Sequence, residues 1–363
     1  MSILTIDLLR QLSETPGGPG DEEAIRNLIA RAIHPHVDEL SIDNIGNLIA
    51  FKKGTGTSGL KAAAAAHMDE IGFMITKIDD DGLLHVARSG GVNPRTVLGK
   101  RVQVGPDRIP GVIAVRPPHL AEDWRKESQQ VPKIRDLVID IGAKDKDEAK
   151  SKVKPGQYAV FQTPFRLLGL EEPLPADAPL PASGRISGKA FDDRLGCAAL
   201  MELLAGPRLP FDFYGVFTVQ EEIGLRGAQV AGGWLEPDIA FILEGTTCPD
   251  TPGAPDQKPT PATTRLGHGP AITQMDRSHI TPPRLLQYVL RTAQARGIPY
   301  QFKHPNTGGT DAAGFTRQRG IPAIIISTPA RYIHAPVAIS DLGDFWNGVA
   351  LVRAALEDLP NFF

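Results

Sequence analysis

Cysteine is nearly absent from this 363-residue sequence, which contains only Cys197 and Cys248. Two cysteines exclude a framework of disulfide bonds and favour a reducing compartment, so we expect a cytoplasmic protein. A long apolar run is also missing, since none reaches the roughly 18 residues needed to cross a bilayer. The first ten residues lack the basic and then apolar pattern of a signal peptide. We therefore expect neither secretion nor a membrane partner.

An excess of charge of either sign is equally absent. The 39 Lys and Arg residues nearly balance 42 Asp and Glu residues, which leaves a net charge of −3, so nothing favours nucleic acid as a partner. Hydrophobic residues make up 41% of the chain and charged residues 22%, as in ordinary soluble globular proteins. A chain of this length is too long for one small core and suits two domains.

The first 70 residues predict a helix and two strands. Apolar residues from Ile25 to Ala32 recur at helical spacing after Asp21, a candidate N-cap. Asn44–Lys52 has the pattern of a strand. Leu60–Ala66 is a short apolar run that ends in five alanines, and its length between polar segments favours a buried strand over a helix.

A small β domain, in the form of a barrel, is predicted next. Turn residues separate the strands, and no convincing helix interrupts them apart from a polar one at Lys144–Lys150. A segment rich in proline, Pro164–Pro181, is predicted to be a linker back to the first domain. The six predicted strands are Phe73–Ile78, Leu83–Ala87, Arg101–Val104, Ile109–Val115, Val138–Ile141 and Tyr158–Phe161.

Helices and strands alternate after Gly188, which is typical of a sheet with helices on both faces. We therefore predict an α/β domain formed by residues 1–72 and 184–363, with a β-barrel domain of residues 73–183 inserted into it. Thr251–Thr264 is rich in proline and threonine and predicts a surface loop. The predicted helices and strands are Phe191–Leu204, Phe211–Gln220, Leu225–Gly232, Ile239–Leu243, Leu285–Ala295, Asp311–Arg317, Ala323–Ser327 and Ser340–Leu359.

Two adjacent carboxylates, Glu221 and Glu222, close the apolar strand predicted at Phe211–Gln220. Charges at such a place are costly unless something stabilises them. Because side chains alternate along a strand, the two glutamates should have different roles. A metal ion would explain one of them, and a catalytic proton shuttle would explain the other.

Other candidate ligands lie at predicted strand ends or helix starts of the same domain. Each has an ordinary structural explanation when taken alone: His67 as a histidine at a strand end, Asp192 as a helix-start aspartate, Glu244 and His334 as solvated polar residues. Asp69 follows His67 by two residues and could fix its tautomer. Together, the set of His67, Asp192, Glu222, Glu244 and His334 suits zinc, cobalt or manganese.

Five such ligands form two triads if Asp192 is shared between two metal ions. Glu221 is then free to act as a base on an attacking water. A glycine turn, Asn306–Asp311, could bind an anion through its backbone amides, although a tight loop with Asp311 as an N-cap is the simpler interpretation. The turn at Lys53-Gly-Thr-Gly-Thr lacks the ending of a phosphate loop.

Five motifs in this order resemble those of the dinuclear-metal, TET-type aminopeptidases, which are also called glutamyl or deblocking aminopeptidases. They span residues 67 to 336, and together they are far more specific than any one of them. The motifs are His67-Met-Asp69, Lys189-Ala-Phe-Asp-Asp-Arg194, Val219-Gln-Glu-Glu-Ile-Gly224, Gly308-Gly-Thr-Asp311 and Ile333-His-Ala-Pro336.

The resemblance implies a zinc-peptidase-like α/β domain with an inserted β-barrel, and two divalent ions, zinc or cobalt. It implies that Asp192 bridges the ions, with His67 and Glu244 on one side and Glu222 and His334 on the other. Glu221 would be the general base and Asp69 would orient His67. Many relatives carry Asp where this chain has Glu244. Short peptides would be the substrates, and a tetrahedral dodecamer the assembly.

Two other classes of function compete with a peptidase. A glycoside hydrolase of cellulase type needs two carboxylates that face each other across the bond, and adjacent residues on a strand point apart. A non-enzymatic assembly protein would need no metal. The preferred N-terminal residue of a peptide substrate stays open, with Arg226, Arg265 and Arg331 as candidate readers of an acidic side chain.

Overall fold

The computed structural model describes residues 2–57, 59–115, 129–169, 174–251, 264–305 and 307–363. Asn306 and almost all of the loop predicted at Thr251–Thr264 lie outside these described residues. No helix in the described part combines the length and the apolar character that crossing a membrane requires. The α-helices are α1 Ile6–Glu14, α2 Glu23–Ile33, α3 Lys146–Lys152, α4 Phe191–Ala205, α5 Arg226–Trp234, α6 Pro283–Ala295, α7 Ala312–Arg319 and α8 Leu342–Glu357.

Seventeen strands are found in the described residues, and they form a large mixed sheet and a closed barrel. The sheet strands are β1 Glu39–Ile42, β2 Leu48–Lys52, β3 Lys61–His67, β10 Arg166–Leu168, β11 Arg185–Gly188, β12 Asp212–Thr218, β13 Ile239–Thr247, β14 Ala271–Ile272, β15 Gln301–Phe302, β16 Ala323–Arg331 and β17 Ala338–Asp341. The barrel strands are β4 Gly72–Ile78, β5 Leu84–Ser89, β6 Arg101–Val104, β7 Ile109–Ala114, β8 Val138–Asp140 and β9 Tyr158–Phe161.

Parallel strands occupy the middle of the sheet. The order is β1-β2-β12-β3-β13-β16-β17-β11-β10, and the neighbours β12, β3, β13 and β16 run parallel. Parallel strands are usually buried on both faces, and β3 shows why its composition suits this place. Ala62, Ala64 and Ala66 pack into the core beneath α1, α2, α4, α6 and α8, while Ala63 and Ala65 face the core beneath α5 and α7.

The barrel closes in the order β4-β5-β8-β7-β6-β9 around an apolar core of its own. Phe73 and Phe161 meet edge to face inside it, with ring centroids 6.0 Å apart. The predicted fold class, a zinc-peptidase-like mixed sheet flanked by helices with an added small barrel, is confirmed. The domain limits at 72/73 and 183/184 stay a prediction.

Several predicted element bounds are wrong. The carboxylate pair lies beyond its strand, because β12 ends at Thr218, whereas Glu244 lies within β13 and not at its end. The linker predicted at Pro164–Pro181 contains β10, which pairs with β11 in the large sheet. Neither Asp21 nor Asp311 caps a helix with its side chain, since Glu22 holds the N-cap position of α2 and Asp311 accepts from Thr218 instead.

Candidate metal centre

The predicted ligands lie together near the carboxyl ends of the central parallel strands. His67 is the last residue of β3 and pairs in register with Thr218, the last residue of β12. Glu244 lies in the neighbouring β13, and Asp192 lies in the first turn of α4, where its backbone is not helical. His334 has φ +60 in the turn between β16 and β17. Ligands commonly meet at the carboxyl ends of parallel strands.

One group of ligand atoms surrounds His67. Its Nε2 lies 3.3 Å from Oδ1 of Asp192 and 3.8 Å from Oε1 of Glu244. The other ring nitrogen, Nδ1, lies 3.1 Å from the backbone oxygen of Asp69 and 3.5 Å from its Oδ1. The imidazole is therefore held from one side and free to offer Nε2 to a cation on the other.

A second group surrounds His334 and uses the other oxygen of the same aspartate. Nε2 of His334 lies 3.1 Å from Oδ2 of Asp192 and 3.4 Å from Oε1 of Glu222. In each of the two groups, all three ligand atoms lie within 4.8 Å of one another. Asp192 is the residue that belongs to both.

The donor set fits a pair of divalent ions. Two ligands at about 2.1 Å from one tetrahedral ion are themselves about 3.4 Å apart, which is close to the separations within each group. Oε2 of Glu244 is buried and has no hydrogen-bond partner among the described residues. A buried carboxylate oxygen without a partner is costly, and a cation beside it would remove that cost.

Burial sets the electrostatics of the site. It raises the pKa of Glu222 to about 7 and the pKa of Glu244 well above its usual value. The pKa of His334 rises to about 9, because the hydrogen bond to Asp192 and the charge of Glu222 outweigh the opposing effect of burial. Protons thus compensate the clustered charge in the metal-free chain, and divalent ions would replace them.

Glu221 and Glu222 diverge because of the loop that carries them. Their backbone amides donate to the two oxygens of Asp69, at 3.0 and 3.1 Å. Glu222 joins the group around His334, whereas the carboxylate of Glu221 belongs to neither group and lies 3.9 Å from Nε2 of His67. The two side chains thus take different positions, although not through the alternation along a strand that the prediction invoked, and their different roles stay a prediction. Burial raises the pKa of Glu221 well above its usual value.

All five motifs lie in the part of the chain that matches a known sequence family. The sequence profile of the M42 glutamyl aminopeptidases matches residues 46–351. The chain belongs to this M42 family. The resemblance to TET-type aminopeptidases is thereby confirmed, and the protein is an aminopeptidase, a hydrolase of a metal-dependent peptidase family.

Several relatives with curated descriptions match nearly the whole chain. A putative aminopeptidase from Acetivibrio thermocellus is 37% identical over 96% of this chain and 98% of its own. A lysyl aminopeptidase from Pyrococcus furiosus is 33% identical over 97% of both chains. A glutamyl aminopeptidase from Lactococcus lactis is 30% identical over 97% of this chain and 96% of its own. Two relatives of similar identity are thus named after residues of opposite charge, lysine and glutamate.

Solved M42-like structures superimpose closely. An aminopeptidase from Desulfurococcus kamchatkensis has a TM-score of 0.87 at 37% identity, covering 97% of this chain and 94% of its own. The TET1 peptidase of Pyrococcus horikoshii, which can assemble into a tetrahedron or a large octahedral shell, has a TM-score of 0.81 at 34% identity, covering 96% and 98%. A structure from Thermotoga maritima called an endoglucanase has a TM-score of 0.78 at 37% identity, covering 98% of both. Despite that last name, the family match favours the peptidase.

Two buried polar residues beside the candidate ligands were not predicted from the sequence. Asp193 accepts from the backbone amide of His67 at 3.2 Å and from that of Gly196 at 3.0 Å. Arg194 donates from Nε to the backbone oxygen of Met68 at 2.8 Å. Both residues stand in a quoted motif, and an arginine beside paired aspartates after a strand was the available signal.

The barrel also touches the centre, through the turn after β5. A side chain at Gly91 would place its Cβ 2.3 Å from Nδ1 of His334, and one at Gly90 would lie 2.9 Å from Oε2 of Glu222. Both glycines are therefore required for close approach. Gly91 also lines an open cavity of about 460 Å³ with Asp192, Glu221, Glu222, Glu244 and His334.

The three arginines proposed as readers of an acidic side chain are not among the described residues that line this cavity. Arg331 is paired with Asp250 through Nε at 2.6 Å and a second nitrogen at 2.9 Å. Arg226 donates to Oε1 of Gln220 at 3.2 Å, and Arg265 is exposed.

Proposed function

We propose that the protein removes N-terminal residues from short peptides with the help of two divalent ions, zinc or cobalt, held by this centre. The observation that carries the proposal is the position of Asp192, which offers one oxygen to each of two histidines. In this arrangement His67 and Glu244 would hold one ion together with Asp192. Glu222 and His334 would hold the second ion with the same aspartate.

When bound, the two ions would polarise the scissile carbonyl and lower the pKa of the attacking water. Glu221 is the group left to move the proton. Its carboxylate is beside the centre but outside both ligand groups, and burial raises its pKa, which suits a base that must also release the proton. We assign it the transfer from the water to the leaving amine.

Asp69 serves this chemistry as a positioning residue. One carboxylate receives the amides of Glu221 and Glu222 and lies beside Nδ1 of His67. It would therefore fix the base, one ligand of each ion and the tautomer of His67 at once. The free amino terminus of the peptide would lie near the ions and carboxylates, which would account for cleavage from the chain end.

The barrel would have a second role. We assign residues 1–72 and 184–363 to catalysis and residues 73–183 to oligomerisation and to control of substrate access. The assignment is supported by the shell-forming TET1 peptidase, which has the same fold, and by the turn at Gly90 and Gly91 that borders the cavity. A homo-oligomer, in the form of a tetrahedral dodecamer, is the assembly that we propose.

A glutamine at position 221 tests the mechanism. We expect Glu221→Gln and the native protein each to bind two metal equivalents, and the variant to lose about 10²–10⁴-fold in kcat, because it loses the base and keeps every proposed ligand. Metal content is measured by mass spectrometry, and turnover with amino-acid p-nitroanilides. Glu39→Gln, an exposed residue of β1, is the matched control.

Two results would contradict the proposal. Near-normal kcat in Glu221→Gln would remove its role as the base. Hydrolysis of p-nitrophenyl glycosides, with no hydrolysis of any anilide by the metal-loaded native protein, would favour the glycoside hydrolase instead.

A further inference from the structure

A lysine lines the same cavity as the metal centre. Lys303 follows β15, and its backbone amide donates to the oxygen of Ile272 at 3.1 Å, which fixes the start of the side chain. Only 8% of its surface is exposed. Lysine is rarely buried to this degree without a partner, because its charge loses hydration.

The ammonium group of Lys303 has no hydrogen-bond acceptor and no carboxylate within 4.0 Å among the described residues. Other cations do have carboxylate partners, for example Arg331 with Asp250 and Lys189 with Glu70. The glycine turn lies close to Lys303, since a Cβ built on Gly308 would be 4.0 Å from Nζ. The ammonium group therefore lies at the cavity with no direct partner among the described residues.

Gly308 and Thr310 of the glycine turn are held by hydrogen bonds beside this lysine. The oxygen of Gly308 accepts from the amide of Arg277 at 3.0 Å. Thr310 donates from Oγ1 to Asp276 at 3.0 Å and from its amide to Ser278 at 3.1 Å. Gly308 has φ +67, a conformation that favours glycine, and its lack of a side chain leaves the space beside Nζ open.

The other charges of the cavity leave the lysine free for a ligand. Four carboxylates line the cavity, those of Asp192, Glu221, Glu222 and Glu244. Two divalent ions would bring four positive charges, so the loaded centre would be close to neutral. Lys303 is then the one uncompensated charge among the described residues that line the cavity, and it would attract an anion.

We propose that Lys303 reads the first residue of the substrate, and that it binds a side-chain carboxylate, so that peptides beginning with glutamate or aspartate are preferred. This inference rests on the proposed function, because it places the side chain of the first residue in the cavity beside the centre. The M42 relatives do not decide it, since one is named lysyl and another glutamyl aminopeptidase.

The test compares glutamyl and glutaminyl p-nitroanilides, which differ in charge and hardly in shape. The anilides have no C-terminal carboxylate, so the side chain is the substrate's only carboxylate. We expect the native protein to favour the glutamyl substrate in kcat/KM by about ten- to a hundredfold, as a charged hydrogen bond predicts. Lys303→Met should bring the ratio close to one and leave leucyl anilide hydrolysis unchanged within about threefold, and Lys303→Arg should retain the preference. Lys77→Met, an exposed lysine of β4, is the control.

Binding gives a second readout that needs no turnover. In metal-loaded Glu221→Gln, calorimetry should show tighter binding of L-glutamate than of L-glutamine, and adding Lys303→Met should remove the difference. Equal hydrolysis of the two anilides by the native protein, or equal losses on all substrates in Lys303→Met, would overturn the role of Lys303 and leave the peptidase intact. Hydrolysis of none of the anilides would overturn the proposed function and the inference with it.

Discussion

At the scale of single residues, the site depends on buried carboxylates that the polypeptide itself does not fully hydrogen-bond. Glu244 is the clearest example, because one of its oxygens lies near His67 and the other is buried with no hydrogen-bond partner among the described residues. A hydrogen-bonding role would have supplied such a partner. The free oxygen is better explained by a ligand that the polypeptide does not provide.

Shortening this side chain tests that explanation. Glu244→Asp keeps a carboxylate but withdraws it by one methylene, and metal–oxygen bonds near 2.0–2.2 Å tolerate little error. We expect about a ten- to hundredfold weaker affinity for one of the two ions, roughly 1.4 to 2.8 kcal/mol. Excess zinc or cobalt should restore much of the activity to Glu244→Asp and little to Glu244→Ala. A metal titration that gives equal affinities for both variants and the native protein would exclude the ligand role.

At the scale of elements, the centre is assembled from turns and strand ends that belong to different parts of the chain. The turn after β5 comes from the barrel, yet it meets the two residues that form one side of the centre. The barrel is therefore a wall of the site as well as a separate unit with its own core.

Gly91→Ala should disturb that wall. The added Cβ would lie 2.3 Å from Nδ1 of His334, and the backbone at Gly91 has no positive φ, so the effect is steric and not conformational. We expect His334 to be displaced and the ion beside it to bind at least about tenfold more weakly, or roughly 1.4 kcal/mol. The matched control is Gly233→Ala, where a Cβ meets nothing within 4 Å. Metal stoichiometry of both variants measures this loss of affinity. Two tightly bound ions in Gly91→Ala would contradict the predicted displacement of His334.

The sequence predicts elements well where a pattern is long or punctuated by turns. All six barrel strands lie within two residues of their predicted bounds, because alternation and turn residues are local signals. The two-residue strands β14 and β15 were missed, since pairing with neighbours and not composition creates them. Lys303 directly follows β15, and the sequence did not indicate it as a reader of an acidic side chain. The three arginines that were proposed for this role are exposed or paired.

The identity of the candidate ligands could be predicted from the sequence, but the contacts that hold them could not. The order of the motifs predicted that the candidate ligands belong to one site. In the structure their atoms form two groups, each of three atoms within 4.8 Å of one another. The supporting contacts of Asp193 and Arg194 were not predictable, because they join residues more than a hundred positions apart in the chain.

At the scale of the whole molecule, buried charges also couple stability to pH away from the centre. Asp344, near the start of α8, is 1% exposed and accepts from the amides of Gly267 and Gly269 at 2.7 and 2.6 Å. Burial raises its pKa from 3.8 to about 6. An acid with a raised folded-state pKa stabilises the fold below its unfolded pKa, and this contribution is lost as the pH rises through the folded value.

Asp344→Asn should therefore change the shape of the stability curve. Between about pH 4 and pH 6 the free energy of unfolding of the native chain should fall relative to that of the variant, by at most about 3 kcal/mol. Urea unfolding of both proteins in chelator, at one-unit intervals from pH 4 to pH 7, measures this, and ligands common to both cancel. The exposed Asp107→Asn serves as control. Parallel curves for the native chain and Asp344→Asn would refute the coupling.

The run of small side chains in β3 limits how far this protein can drift in sequence. Five successive alanines, all inaccessible to solvent, let helices approach the sheet closely from both sides, and each alanine has core residues beyond it. A bulkier residue anywhere in the run must push one helical layer outward, since a close-packed interior offers no spare volume. His67 is the next residue after the run. A shift of the strand or of a helix packed on it would therefore also displace the imidazole of His67. The substitutions that β3 tolerates therefore also limit the position of its one candidate ligand, His67.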